Sequence, residues 1–433
     1  MNDSIDATIQ FLQQQAAALL LYQAVFEDEV GQAFLQLLQA CRQSNHEGLT
    51  ALKAYGNWFQ AMAREGVSWH DRLVTQIVRA ENPFTQQAQR LPLADMPPAL
   101  VAAAQADLRR LQSLYHGTDQ FSQWIEAEFG LKQPLVQWES PAFHPQDGLW
   151  QTFQTTQDWA DLLPALAEHY RRAGIGLFAA YHACRWQQGQ LVGVAYPDPI
   201  QLEMLVGYEL PKATLLQNTE ALLAGYSALN VLLYGSRGTG KSSLVKSLVH
   251  AYGDRGLRLI EVEKADLRDL PAIVEQVRRI PHSFIIFVDD LSFEEDDETF
   301  KALKVVLEGS LTARPQNVVV YATSNRRHLV REFYGDRPRP SDADEIHNWD
   351  TMQEKLSFSD RFGLTLTFEP ADQETYLAIV RHLAKIMAID ITPSELEFRA
   401  LQWATRHNGR SGRSARQFID FLVAEKASAN LLP

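Results

Sequence analysis

The chain has 433 residues, 46% hydrophobic and 21% charged, which suits two or three folded domains and excludes a disordered chain. The net charge of −13 is spread over both halves, with 12 basic and 20 acidic groups in residues 1–200 and 28 and 33 in the remainder, so a surface that generally coats nucleic acid is disfavoured. Two cysteines, Cys41 and Cys184, leave no disulfide framework or cysteine zinc site, no apolar run reaches the roughly 18 residues of a membrane span, and the acidic start lacks a signal peptide's basic flank; together these predict a cytoplasmic protein.

Residues 1–195 are expected to form a mainly helical domain of unassigned role. Ile9, Leu12, Ala16, Leu19 and Leu20 recur at helical spacing, as do Phe34, Leu37 and Leu38. A long alanine- and leucine-rich helix is predicted from Pro97 to Tyr115, and another from Asp158 to Ala173, ended by Gly174. The prolines between Lys132 and Pro145 suggest an irregular linker. Leu177–Trp186 and Gln190–Ala195 flank Gln-Gln-Gly, a weak hairpin signal. The histidines of this region (His46, His70, His116, His144, His169) lack ligand spacing, and no motif here carries chemistry.

From Tyr196 the texture changes. Apolar strands are predicted at Asn230–Tyr234, Leu257–Val262, Phe284–Val288, Val318–Ala322 and Leu364–Phe368. Helices at Lys241–Tyr252, Asp269–Ile280, Thr299–Leu307 and His328–Phe333 separate them. Alternation of this kind predicts an α/β core, residues 196–369, with a parallel sheet covered on both faces. Residues 370–433 read as a helical lid.

The first of these strands runs into Gly235-Ser236-Arg237-Gly238-Thr239-Gly240-Lys241-Ser242, a complete P-loop followed by a helix. The glycines let the backbone fold around an anion, so that N–H groups and the helix N-terminus face phosphate oxygens. Lys241 reaches the β- and γ-phosphates, and the Ser242 hydroxyl suits magnesium. The third strand ends in Asp289-Asp290. An acid delivered there beside a P-loop holds a metal, the role assigned to Asp289, while Asp290 or Glu294 orients the attacking water. The fourth strand ends in Asn325, whose amide can bond the γ-phosphate or place the water. Arg361, before the fifth strand, suits an arginine finger, and Arg413 and Arg416 open the last helix where their charge can meet a triphosphate from the lid side.

In this order of parts, residues 200–433 resemble the AAA+ ATPases. The resemblance makes Gly235–Ser242 Walker A, Phe284–Asp290 Walker B, Asn325 sensor 1, Arg361 the arginine finger, and Arg413 sensor 2 with Arg416 as second choice. It implies a five-stranded parallel P-loop NTPase core with a C-terminal helical lid, ATP and Mg2+ as cofactors, and an adenine-pocket segment at Leu205-Val206-Gly207-Tyr208. More narrowly, the P-loop region, Asp289–Glu294 and Ala322–His328 resemble a bacterial AAA+ family catalogued as a domain of unknown function. Walker B usually ends in Asp-Glu there, whereas this chain has Asp-Asp, which points to slow hydrolysis or a contribution from Glu294. The stretch Glu263–Leu270 lacks the pore aromatic of members that thread polypeptide, so unfolding through a pore is not supported; both departures look more like replication-initiator and helicase-loader relatives.

The leading expectation is an ATPase that assembles as a homo-oligomer, with Arg361 completing a neighbour's site in trans, and remodels an unidentified protein partner. The alternative is a nucleotide-gated loader or scaffold with little turnover. Nucleic-acid binding is the weaker reading: Arg326, Arg327, Arg331, Arg337 and Arg339, and Arg406, Arg410, Arg413 and Arg416 in the lid, speak for it, and the total charge speaks against it. The long segment Gly335–Lys355 suits a partner-contacting loop.

Overall fold

A computed structural model of the chain describes residues 2–43, 49–118, 121–129, 131–139, 148–291, 303–304, 306–307, 315–325, 361–407 and 409–429. Two compact units divide it, Met1–Ala180 and Tyr181–Pro433.

The first unit is built from helices, among them Asn2–Ala17, Glu29–Gln43, Leu49–Glu65, Trp69–Val78 and Pro98–Gly117. Their apolar faces meet in one core, where Phe34 stacks on Trp69 with ring centroids 4.0 Å apart and meets Phe121 edge-on at 6.0 Å. The predicted helix at Pro97–Tyr115 is present as Pro98–Gly117, starting one residue later and ending two residues later, and is entered through Pro98 at its first turn. The predicted Asp158–Ala173 helix begins as a 3-10 turn, Trp159–Leu162, capped by the Asp158 carboxylate on the Ala160 N–H at 2.9 Å. It then becomes α-helical until Gly174, whose φ of 93° stops it.

One buried carboxylate organises this unit. Asp107 accepts from the backbone N–H of Leu20 at 2.9 Å, Leu21 at 2.7 Å and Tyr22 at 3.2 Å, and pairs with Arg110 at 3.1 Å. These donors follow the first helix and would otherwise be stranded away from water. The Tyr22 hydroxyl in turn meets that of Tyr170 at 3.2 Å, and Tyr170 donates to the Ile77 carbonyl at 2.7 Å.

The second unit holds a seven-stranded sheet: β1 (Ala183–Gln187), β2 (Gln190–Gly193), β3 (Val231–Gly235), β4 (Leu257–Glu261), β5 (Ser283–Val288), β6 (Val318–Ser324) and β7 (Leu364–Phe368), in the order β2-β1-β4-β5-β6-β3-β7. Every neighbouring pair is parallel except β1 with β2. β3 to β7 are the five predicted parallel strands, and their apolar runs follow from burial on both faces: all seven residues of β6 and five of six in β5 are buried.

Two strands go beyond the five expected. The hairpin turns at Gln188 and Gly189, both with positive φ, and β1 pairs with β4. The Arg185 guanidinium grips Glu261 at 2.7 and 2.9 Å, and the Trp186 indole donates to Asp269 at 2.9 Å. These bonds tie the hairpin to the second unit, which begins after residue 180, fifteen residues ahead of the boundary expected at 195. Leu177–Ala180, expected as strand, is helical instead.

The lid is three helices, Gln373–Ile386, Pro393–Arg406 and Gly412–Ala429, around Tyr376, Val380, Ala400, Phe418 and Leu422. Side-chain oxygens of Asp372 and Thr392 cap the first two. The predicted helix at His328–Phe333, most of that at Thr299–Leu307, and the loop Gly335–Lys355 lie outside the described residues.

Candidate functional site

β3 ends at Gly235, and the loop that follows is shaped by glycines. Gly235 has a φ of 145°, and a Cβ there would stand 1.9 Å from the Phe368 carbonyl oxygen of β7. Gly238, at φ 78°, lies against Ser411 and Arg413 of the lid. The helix Lys241–Tyr252 then starts at the C-terminal edge of the sheet, its first N–H groups facing the loop.

Lys241 is 6% exposed. Its ammonium donates to the carbonyls of Gly235 at 2.9 Å and Ser236 at 2.7 Å, with Asn325 Oδ1 at 3.4 Å. Burial lowers its pKa, Asp289 and Asp290 pull it upward, and Arg413 lowers it further. Ser242 Oγ donates to Asp289 Oδ1 at 2.6 Å. Thr323 Oγ1 donates to the same oxygen at 2.5 Å. Asn325 Nδ2 donates to Asp290 Oδ1 at 2.6 Å. Asp290 itself has a φ of 50°, the left-handed region that aspartate tolerates better than most residues. The backbone therefore gives a reason for aspartate at this position independent of chemistry.

These groups open into a cleft of about 610 Å³. Arg237, Gly238, Thr239, Gly240, Lys241 and Ser242 line it, together with Asp289, Asp290, Thr323 and Asn325. Arg413 and Arg416 close it from the lid, and the Arg413 backbone N–H donates to the Gly238 carbonyl at 3.1 Å. The Arg416 guanidinium also pairs with Asp420, one turn on, at 3.2 Å. The opposite end is apolar: Ile200, Met204, Leu205 and Val206 face Ile379 and Leu383 of the lid. Tyr208 ties this segment to the core by donating to the Glu369 carbonyl at 2.8 Å, and Lys212 by donating to the carbonyls of Leu202 at 2.8 Å and Leu205 at 3.0 Å.

Among the described residues, Gly235 and Ser236 shape the loop without lining the cleft, and Gly207 and Arg361 stand apart from it. Gly207 does not line the cleft; its φ of 101° and its approach to Thr375, 2.7 Å from where a Cβ would lie, suit a turn against the lid. Arg361 is not a lining residue either. It precedes β7, whose Leu364 pairs with Val231 at the start of β3, while the P-loop follows the other end of β3. Gly235 pairs with Phe368 at the far end of β7, so Arg361 and the loop lie toward opposite ends of that strand pair. Glu294 lies outside the described residues.

Sequence reasoning passed over Thr323, Ile200, Met204 and Lys212. Thr323 had a signal: it stands two residues before Asn325, so its side chain leaves β6 on the same face. Ile200 and Met204 had none, because single apolar residues in a loop do not announce a ligand.

The donor set fits magnesium. Ser242 and Asp289 offer hard oxygen atoms beside the glycine loop, and among the described residues no group of three His, Cys, Asp or Glu side chains stands together as an all-protein cage. One carboxylate and one hydroxyl suit an ion that keeps its waters and shares a nucleotide's phosphates.

Comparison with known proteins gives a family. The family described as "Protein of unknown function (DUF815)" matches residues 179–426, more than half of the chain. Among solved structures, the chain is similar to the Thermotoga maritima RuvB Holliday junction branch migration motor, at 15% identity over 52% of this chain and 72% of that one, with a TM-score of 0.32. A proline-to-glycine mutant of Thermotoga maritima RuvB gives 17% identity over 53% of this chain and 68% of that one, with a TM-score of 0.35. No curated protein matches. No helix among the described residues is long and apolar enough to cross a membrane.

Proposed function

The chain belongs to the DUF815 family, and on that premise we propose that it is a magnesium-dependent AAA+ ATPase whose nucleotide state governs its assembly and its action on a protein partner. The observation that carries this reading is the convergence of Lys241, Ser242, Asp289, Asn325 and Arg413 on one cleft with an apolar end suited to a purine.

In this reading the N–H groups of the 238–242 turn and the Lys241 ammonium bind the phosphates. Ser242 and Asp289 hold magnesium, which neutralises charge on the β- and γ-phosphates when bound. Asp290 and Asn325 orient the attacking water. Arg413 places positive charge over the triphosphate from the lid, and Ile379 and Leu383 help exclude water from the base. Arg361 precedes β7 and does not line its own chain's cleft, which supports a role in a neighbouring copy's site.

Titration of a fluorescent ATP analogue with and without magnesium tests the proposal. Affinity is expected to rise on the order of tenfold or more with the metal; absence of any magnesium-dependent adenine-nucleotide affinity overturns it. For the role in trans, Lys241→Ala and Arg361→Ala proteins, each inactive alone, are expected to regain hydrolysis when mixed.

One feature favours a second reading, a nucleotide-gated loader with little turnover. The Asp290 carboxylate is engaged by Asn325, and its backbone occupies the left-handed region. Tight ATP binding with negligible phosphate release in steady state would select this reading over the first.

A further inference from the structure

The hydroxyl of Thr323 joins the two acids. It is 2% exposed, donates to Asp289 Oδ1 at 2.5 Å and accepts from the Asp290 N–H at 3.0 Å. The same Asp289 oxygen also takes Ser242 Oγ at 2.6 Å and the Asp290 N–H at 3.1 Å. Three donors on one oxygen fix the torsion of that carboxylate, with Oδ1 committed to the protein. The Thr323 main chain adds to this, since its carbonyl accepts from the Leu291 N–H at 2.7 Å. Thr323 thus holds residues 289–291 by three bonds, across the turn where Asp290 carries a φ of 50°. An aspartate in the left-handed region persists only where its surroundings over-determine it, and two of these bonds are to the N–H groups of that turn.

We propose that Thr323 is a positioning residue of the nucleotide site: its hydroxyl sets the orientation in which Asp289 meets the metal and the backbone turn that directs Asp290 to Asn325. This rests on the nucleotide-site reading above and goes beyond it, because neither the P-loop nor the paired acids require a hydroxyl at this position. Partners that orient a metal-binding carboxylate act in this way in metal sites generally.

The test uses the full chain with Thr323→Val and Thr323→Ser. Valine keeps the shape and suits a buried strand but removes both hydroxyl bonds, whereas serine keeps them. The first readout is the ratio of ATP affinity with magnesium to ATP affinity in chelator, and the second is steady-state turnover. Valine is expected to leave the chelator affinity within about twofold of the parent and to lower both the magnesium-dependent gain and the turnover by about tenfold. Serine is expected to restore both to within about twofold of the parent. A residue that only packed the strand would lower the melting temperature and leave the ratio unchanged. If the valine protein does not fold, Thr323→Ala provides the same comparison. An unchanged ratio and turnover in the hydroxyl-less protein overturn the proposal while the function stands. A parent protein without magnesium-dependent affinity overturns the function, and this inference with it.

Discussion

Each of the two units carries an acid, one buried and one exposed, and the two are used in opposite ways. In the first, Asp107 is fully enclosed and spends its carboxylate on three backbone N–H groups and Arg110, so its work is done once the chain has folded. In the second, Asp289 commits one oxygen to Ser242 and Thr323 at the rim of a cleft. Saturated polar groups stabilise; incompletely engaged ones at a cavity wall are available to a ligand. The contrast separates a carboxylate saturated by its own chain from one with an oxygen to spare, as the proposed function requires.

The comparison can be broken first at Asp107. Replacement by alanine takes the acceptor from three N–H groups, that of Tyr22 buried, and the partner from Arg110, and is expected to destabilise the first unit by about 3 kcal/mol. Denaturant unfolding measures this, and ATP affinity is expected to stay unchanged. A loss of ATP affinity with unaltered stability would reverse the distinction. Next in size, Lys241→Ala is expected to weaken ATP binding on the order of a hundredfold, about 2.8 kcal/mol, with the first unit's stability intact.

The smallest effect concerns pH. Asp158 in the first unit and Asp372 in the second are exposed caps whose carboxyls are held below the usual range, each mainly by a backbone N–H, of Ala160 and of Thr375 respectively. A depressed folded pKa means that the contribution is complete above the unfolded value of about 3.9 and is lost as pH falls through the lower folded value. Asp158→Asn and Asp372→Asn proteins, which keep a capping oxygen, should therefore lose less stability than the parent between about pH 5 and pH 2. Equal acid sensitivity in parent and variants would remove both caps from the account.

Legibility in the sequence follows the same division. Phosphate binding demands particular residues at fixed spacing, so Gly235 to Ser242 and the strand leading to Asp289 were readable, and five strands of the sheet followed from their apolar runs. The hairpin's place was not readable, because it depends on Arg185 meeting Glu261, 76 residues away. Asp107 was equally hidden: a lone acid in an alanine-rich helix looks like a solvated position until its distant N–H partners are known. Thr323 lay between these cases, visible by its alternation with Asn325 but lacking a motif. Arg361 was legible as a residue type, whereas its distance from the loop required the pairing of β7 with β3.

The bond from the Arg413 N–H to the Gly238 carbonyl has a thermodynamic corollary. It makes the seating of the last helix and the shape of the anion-binding turn a single shared equilibrium. Whatever tugs that helix outward forfeits roughly 1 kcal/mol of main-chain bonding and, on the proposed function, would alter phosphate affinity a few-fold. By reciprocity, filling the turn changes the effort needed to displace the helix by the same factor.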